Sequence, residues 1–363
     1  MPIMILKNLT LQNFRSYRKK HWNLSEANNV IVADNGAGKT NLLEAVYLLA
    51  TGKSFRAEKD EEMVLYGEEF GRVTGDVHLG GGHSDTSEVV NLTVVLSKPK
   101  RFFINNVGKR RLDFAGKLVC VLFRPEDIDL VLGSPSLRRE YLDSVLEQID
   151  REYRRCNLSY HKGLRQRNKL LEKIRDGEAQ RRQLLFWDEL IIKNGEIVSA
   201  KREEFINFIN NEFKKKKLED SLIYDKSIIS PVRLEQYADN EIRVGKTLVG
   251  PHRDDFIFFR QRQGKVKKDL SIFGSRGEQR MAVFNLKLAE LEYIEKTIGE
   301  PASTSASLGG PPLLLLDDIF SELDHEHREE VFKLLDRQQT IMTTADKHLI
   351  PKKLKSVEVI KLS

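Results

Sequence analysis

Ile31-Val32-Ala33-Asp34-Asn35-Gly36-Ala37-Gly38-Lys39-Thr40, followed by Asn41-Leu42-Leu43-Glu44-Ala45, is the stretch whose reading decides the fold. Two β-branched residues lead into a loop of small residues, the loop closes on Gly-Lys-Thr, and a helical run follows. In that order of strand, loop and helix, successive backbone N–H groups and the positive helix end cradle phosphates. Lys39 then reaches the β and γ oxygens, and the Thr40 hydroxyl binds Mg²⁺. Ala33 stands where such loops usually place their first glycine, which is tolerated if its backbone avoids positive φ. The competing reading is a glycine-rich turn ahead of an ordinary helix.

A matching half lies near the other end of the chain. Leu313-Leu314-Leu315-Leu316 is apolar at every position, as a strand covered on both faces should be, and it delivers Asp317-Asp318 at its C-terminal edge. Asp317 is expected to hold Mg²⁺ through water, and Asp318 to orient or deprotonate an attacking water. As a simpler alternative, the pair caps a helix, since Ile319-Phe320-Ser321-Glu322 follows. Between the two halves, Ser275-Arg276-Gly277-Glu278-Gln279-Arg280 precedes the amphipathic run Met281 to Ile294. A serine, a glycine and a helix N-terminus make a second anion site. One γ-phosphate does not need two, so the economical reading places ATP between two copies of the chain. Taken alone, this segment is equally a plain N-cap by Ser275.

The order of these parts resembles the ATPase heads of the ABC superfamily, in the branch containing the SMC proteins, and within it the bacterial recombination-repair RecF family. The residues that carry the likeness are Asn13-Phe14-Arg15-Ser16-Tyr17, the loop and helix from Asn35 to Ala45, Gly52-Lys53-Ser54-Phe55-Arg56, Phe123-Arg124-Pro125-Glu126-Asp127, Gly250-Pro251-His252-Arg253-Asp254-Asp255, the Ser275 segment, and Leu315 to Asp324. The resemblance implies that Ala33 to Thr40 is the Walker A motif and Asp317 the Walker B aspartate, that Asp318 is the neighbouring catalytic acid, and that Ser321 to Asp324 is the D-loop. It makes Ser275 to Gln279, with Gly277, the signature motif acting in trans, and it puts Asn41, Arg15 and Arg56 near the nucleotide. Two positions depart from the family pattern: Ala33 for glycine, and Glu278 where glutamine is common. A carboxylate there is unfavourable beside phosphates unless it turns away or pairs with Arg280. The family further implies an α/β fold, an ABC-type P-loop ATPase head with mixed β-sheets around the Walker A helix plus an α-helical lobe carrying a helical-hairpin arm. It implies ATP and Mg²⁺ as cofactors, an ATP-dependent homodimer, weak DNA-linked ATP hydrolysis used as a switch, and a cytoplasmic role in recombinational repair, replication and SOS induction. The partners it implies are gapped or junction DNA, RecO and RecR, and RecA loaded through them.

Composition agrees with a globular, highly charged chain: 363 residues, 40% hydrophobic and 31% charged, which excludes disorder and collagen-like repeats. No apolar run approaches the roughly 18 residues that span a bilayer, and Lys7 interrupts the opening apolar stretch, so a soluble, unexported protein is expected. Cys120 and Cys156 are the two cysteines. They supply neither a disulfide framework nor a four-ligand zinc site, and they fit a reducing compartment.

The N-terminal third reads as strands and turns around one helix. Val89 to Leu96, Arg101 to Ile104 with the Asn105-Asn106 turn, and Val119 to Phe123 are strand candidates. From Pro135 a stripe through Leu137, Tyr141, Val145, Ile149, Tyr153, Cys156, Tyr160 and Leu164 predicts one long helix, about 60 Å if it ran to Arg175. Asp176-Gly177 turns the chain into a second stripe from Leu184 to Ile209 that ends in Lys214 to Lys217, cations suited to a helix C-terminus. After Lys217 strand signals return. The expected domains are residues 1–125 with 245–363 as the ATP-binding head, and 126–244 as the arm. The segment Gly299 to Pro312 reads as a surface loop.

Net charge is +6, and residues 151–182 alone hold eleven basic and four acidic side chains, so the remainder nets −1. Such a stretch neutralises nucleic-acid phosphates or is a solvated face. Arg110, Arg111, Lys265, Lys267 and Lys268 are further candidates on turns. No base-reading motif is present, so structure rather than sequence would be recognised. Three functions follow from different classes: an ATP-switched DNA clamp, a P-loop enzyme acting on a small substrate, and a structural head whose arm contacts proteins. The Ser275 segment argues against the second.

Overall fold

A computed structural model describes residues 2–81, 88–261, 266–299, 310–321, 325–335, 337–346, 348 and 356–362. The chain divides into two units, Met1–Asp127 with Glu290–Ser363, and Ile128–Ala289.

The first unit holds two sheets. One is parallel, in the order Val357–Lys361, Asn28–Val32, Thr340–Thr344, Leu313–Asp317, Cys120–Phe123. Its four inner and edge strands from Asn28–Val32 to Cys120–Phe123 are buried at every residue, the mark of a sheet covered on both faces. The other sheet is antiparallel, in the order Tyr17–Asn23, Pro2–Phe14, Gly71–Gly81, Glu88–Leu96, Arg101–Ile104, Val107–Lys109. Asn105 and Asn106 both take positive φ, as a two-residue hairpin turn requires.

The helix Lys39–Thr51 packs against strands of both sheets. Leu42, Leu43, Ala45, Val46, Leu48, Leu49 and Ala50 are all buried, so the helix is apolar nearly all round because it is enclosed nearly all round. Gly52 ends it in the left-handed conformation, its N–H bonded to the Leu48 carbonyl.

The second unit is mainly helical. The single long helix expected from Pro135 is two, Pro135–Ile149 and Arg151–Arg175. Asp150 breaks the run: it adopts an extended backbone, and its carboxylate accepts the Tyr153 N–H at 2.9 Å, capping the second helix. Gly177 with φ 78° makes the expected turn, and Leu185–Lys215 returns antiparallel as the second arm of a hairpin. The two helices cross closely at Gly163, where a Cβ would lie 2.4 Å from Leu190 Cδ2. Tyr160, Leu164, Ile191, Ile229, Leu234 and Val249 form a shared core beneath them.

Pro231–Val244, in a region expected to be strand-rich, is a helix, started by the Ser230 hydroxyl on Arg233 N with proline at the first helical position. Residues 245–289, expected in the head, lie in this second unit. The strand Asp255–Arg260 pairs with Asp220–Asp225, Arg138 grips Asp255 at 2.6 and 2.8 Å, and Asn285 donates to Asp220 at 3.0 Å.

Candidate functional site

The strand Asn28–Val32 opens into the loop 33–38 at its C-terminal edge, and the positive φ values fall at Gly36 (84°) and Gly38 (97°), not at Ala33. Alanine therefore costs the loop no backbone strain. Asp34 accepts the Ala37 N–H at 3.2 Å, which tightens the turn. Lys39 is buried beneath it, its Nζ donating to the Ala33 carbonyl at 2.6 Å, the Asp34 carbonyl at 3.0 Å and Asn35 Oδ1 at 3.4 Å. A Cβ on Gly38 would meet the Tyr17 hydroxyl at 2.9 Å, so glycine is required there twice over, by conformation and by space. Tyr17 donates that hydroxyl to the Gly38 carbonyl, and burial pushes the phenol up to about 12.

The Leu313–Asp317 strand ends two places across the parallel sheet. Thr40 Oγ1 donates to Asp317 Oδ1 at 3.2 Å, and Thr343 Oγ1 donates to the same oxygen at 2.7 Å. The register explains it: Ile31, Thr343 and Asp317 stand abreast on three adjacent strands. Asp318 follows at φ 46°, its N–H held by the Thr343 carbonyl and hydroxyl at 3.2 and 3.0 Å. A non-glycine residue at positive φ is uncommon, and aspartate is among those that tolerate it best. Thr343 went unnoticed in the sequence, where a threonine pair in a C-terminal strand carries no signal of its own.

Arg15 and Arg56 both meet Glu44, a fully buried carboxylate one turn along the helix from Thr40. Arg15 binds it through Nε at 2.8 Å and Nη2 at 2.6 Å, Arg56 through Nε at 3.0 Å and Nη2 at 2.8 Å, and Ser54 Oγ at 2.5 Å. Burial alone would raise the Glu44 carboxyl; the hydrogen bonds from Arg15, Ser54 and Arg56 outweigh it and hold the group below its usual range. Asn41, also expected near the nucleotide, accepts from Arg56 and donates to Ser16 Oγ at 2.9 Å.

In the second unit the Ser275 segment is an N-cap and more. Ser275 N and Oγ donate to Glu278 Oε2 at 2.8 and 3.1 Å while Glu278 N donates back to Ser275 Oγ at 3.3 Å, a reciprocal capping box. Lys268 Nζ donates to both Glu278 oxygens at 2.9 Å, and the hydrogen bonds from Lys268 and the Ser275 backbone bring this carboxyl down to about 2. Its charge is thus matched by Lys268. Gln279 is buried, clasping the Leu270 and Gly274 carbonyls at 2.8 and 3.2 Å, so its amide shapes the turn. Ser275, Arg276 and Gly277 are exposed, and a Cβ on Gly277 would meet nothing within 4 Å. Ile272 and Phe273, just upstream, are exposed as well.

The basic stretch 151–182 divides by burial. Arg154 and Arg167 are interior: Arg154 donates to the Glu147 and Gln148 carbonyls, and Arg167 pairs with Asp188 at 2.6 Å and Glu241 at 2.8 Å. Arg175 pairs with Asp176 and Arg181 with Asp239. Arg151, Arg155, Lys162, Arg165, Lys169 and Lys173 are exposed, and their spacings of four, seven, three, four and four residues keep them within ~40° of one line along ~33 Å of helix. Of the other basic candidates, Arg111 donates to the Thr51 carbonyl, Arg110 pairs with Asp113, Lys267 sits 5.0 Å over the Phe259 ring and Lys268 serves Glu278. Lys265, most of the 299–312 loop, and Glu322 to Asp324 lie outside the described residues.

Gly250 to Asp255 is a brace. Asp254, fully buried, accepts from Arg202 and Ser199 at 3.3 Å, from Ser227 N at 2.8 Å and from Tyr224. His252 bonds Tyr160 OH at 2.7 Å and the Thr247 carbonyl at 3.0 Å.

A phosphate-loop strand and an acid-bearing strand flanking a third in a parallel sheet, beside an antiparallel sheet and with a helical arm unit, make the ABC/SMC-type ATPase fold. The RecF/RecN/SMC N-terminal domain model matches residues 5–362. The chain is 36% identical to the DNA replication and repair protein RecF of Shouchella clausii, over 94% of this chain and 92% of that one, and 33% identical to that of Rippkaea orientalis, over 99% and 98%. A solved structure of the recombination mediator protein RecF with ATP, in the RecFOR pathway, superposes with a TM-score of 0.84 at 29% identity, covering 99% of this chain and 95% of that one. The chain belongs to the RecF family.

Proposed function

We propose that the protein is an ATP-switched DNA-binding component of recombinational repair and replication. The observation that carries this reading is the convergence of Lys39, Thr40, Asp317 and Asp318 at one edge of the parallel sheet. Backbone N–H groups of residues 33–38 and Lys39 hold the nucleotide phosphates, with Asn41, Arg15 and Arg56 alongside. The Thr40 hydroxyl and Asp317 carboxylate, 3.2 Å apart, offer the hard oxygen donors that Mg²⁺ takes. The metal ion would neutralise phosphate charge when bound. Asp318 orients the attacking water and accepts its proton. Ser275 and Gly277, on an exposed helix start, meet the nucleotide of a second copy, with Gln279 and Glu278 shaping that turn. ATP therefore assembles a homodimer, and slow hydrolysis releases it.

The six-cation stripe of the arm contacts DNA phosphates at gaps or junctions. In this reading the protein works with RecO and RecR to load RecA, supports SOS induction and acts in the cytoplasm; its likeness to DNA replication and repair proteins supports the repair context. One observation favours a second reading, a head whose arm docks protein: Leu185 and Phe186, at the start of the returning helix, are 64% and 63% exposed.

Fluorescence anisotropy of a labelled gapped duplex, with and without ATP and Mg²⁺ at two salt concentrations, tests the proposal. Binding that requires ATP and weakens with salt supports the clamp; absence of binding in every condition leaves the arm a protein-contact or solvated face.

A further inference from the structure

Glu44 has no role in phosphate binding by itself, being a buried anion on the helix that follows the phosphate loop. It nevertheless gathers three side chains from two separate segments. Arg15 approaches from the turn after the first strand with φ 51°, Ser54 and Arg56 from the loop beyond the helix, and their five hydrogen bonds use both carboxylate oxygens. From there a chain of contacts leads back to the loop. Arg56 Nη2 also donates to Asn41 Oδ1, Asn41 Nδ2 donates to Ser16 Oγ, and Ser16 Oγ sits 3.1 Å from where a Gly38 Cβ would be. Two guanidinium groups share one carboxylate, so the cluster keeps a net positive charge beside the loop. Among the described residues Nη1 of Arg56 has no protein partner, while every nitrogen of Arg15 that can donate is used.

We propose that Glu44 is a positioning residue for the nucleotide, fixing Arg56, with Arg15 behind it, so that a guanidinium edge meets the polyphosphate at no further cost in side-chain ordering. The inference rests on the nucleotide-binding reading above. Neutralising Glu44 frees Arg56, and affinity falls because the cation must be ordered again on binding.

The test is equilibrium binding of a fluorescent ATP analogue with Mg²⁺ to the full chain, for wild type, Arg56→Gln, Glu44→Gln and the double variant. Arg56→Gln should weaken binding about tenfold, the effect of one charge-assisted hydrogen bond. Glu44→Gln should weaken it by a similar factor, and the double variant should bind no worse than the weaker single variant, because both changes remove the same contact. Wild-type affinity in Arg56→Gln, or in a folded Glu44→Gln, would overturn the proposal, and if Glu44→Gln does not fold, Glu44→Asp, which keeps the charge but shortens its reach to Arg56, takes its place with the same expected loss. Multiplying losses in the double variant would also overturn it, making Glu44 a brace for the helix. If the wild-type chain binds no ATP analogue, the nucleotide reading itself fails, an outcome separate from either.

Discussion

Thr40 and Asp317, separated by 277 positions in the chain, are joined by a 3.2 Å hydrogen bond. Thr343 stands abreast of Asp317 on the intervening strand and donates to the same oxygen at 2.7 Å. Two hydroxyls thus hold one carboxylate oxygen at the point where the parallel sheet meets the phosphate loop. If this is the metal and nucleotide site, its parts should fail in different ways.

Lys39→Met removes the cation beneath the loop together with the donor to three oxygens of residues 33–35. ATP binding or turnover should be lost, measured by analogue binding and phosphate release. Asp318→Asn keeps the backbone bonds to Thr343 and leaves the loop intact, so it should bind ATP, fall at least about a hundredfold in turnover, the scale of a lost general base, and accumulate as dimer on light scattering. Wild-type hydrolysis by Asp318→Asn would remove that residue from the mechanism.

Ser275→Arg separates the two proposed nucleotide contacts. The serine is exposed and caps its own helix, so its loss should cost about 1 kcal/mol of stability and leave nucleotide binding by the monomer within about twofold. Dimer formation with ATP should disappear. Loss of nucleotide binding in the monomer would instead mean that this segment acts on its own chain's nucleotide.

The brace at Gly250 to Asp255 predicts an acid limit on stability. The Thr247 carbonyl can only accept, so His252 Nε2 carries the proton and Nδ1 accepts from Tyr160 OH: a neutral, satisfied imidazole. Burial pushes it down to about 4, and the nearby Arg253, His161 and Arg139 charges act in the same direction. Between about pH 6.5 and 4 the unfolded chain takes up a proton that the folded chain refuses, so stability is complete above this window and declines as pH falls through it. Urea unfolding at pH 7.5 and pH 5 should show a loss of about 1–2 kcal/mol in wild type that His252→Gln lacks.

What the sequence made legible was whatever a short segment decides alone. Gly36, Gly38, Lys39 and Thr40 announce themselves because loop conformation, charge and hydroxyl fall within five positions. Leu313 to Asp317 does so because a strand enclosed on both faces must be apolar throughout. Asp150 was hidden, since an aspartate in an otherwise continuous apolar stripe breaks it only by accepting the Tyr153 N–H. Glu44 was hidden because its partners Arg15 and Arg56 arrive from opposite sides in the sequence. The placement of residues 245–289 was hidden for the same reason: strand pairing with Asp220–Asp225 and the Arg138–Asp255 contact are long-range choices.

The charge of the arm shows most plainly how burial revises a sequence reading, and it sets the last prediction. Of the eleven basic residues in 151–182, Arg154 and Arg167 are interior, and Arg167 is neutralised by Asp188 and Glu241. The other nine are exposed, and six of them, Arg151, Arg155, Lys162, Arg165, Lys169 and Lys173, lie in one line. Each phosphate neutralised by such a cation releases counterions, so log affinity for duplex DNA should fall against log salt with a slope near −0.9 per contact. Replacing Arg165, Lys169 and Lys173 together by glutamine should shallow that slope by about 2–3 and weaken binding equally for all sequences, since no base edge is read. Arg167→Gln should behave differently. It strands a buried carboxylate, so it should destabilise the arm by about 3–5 kcal/mol and leave the salt slope of the protein that remains folded unchanged. An unchanged slope in the triple variant would turn the stripe into a solvated or protein-contacting face, and a changed slope in Arg167→Gln would mean that burial had misassigned the cations.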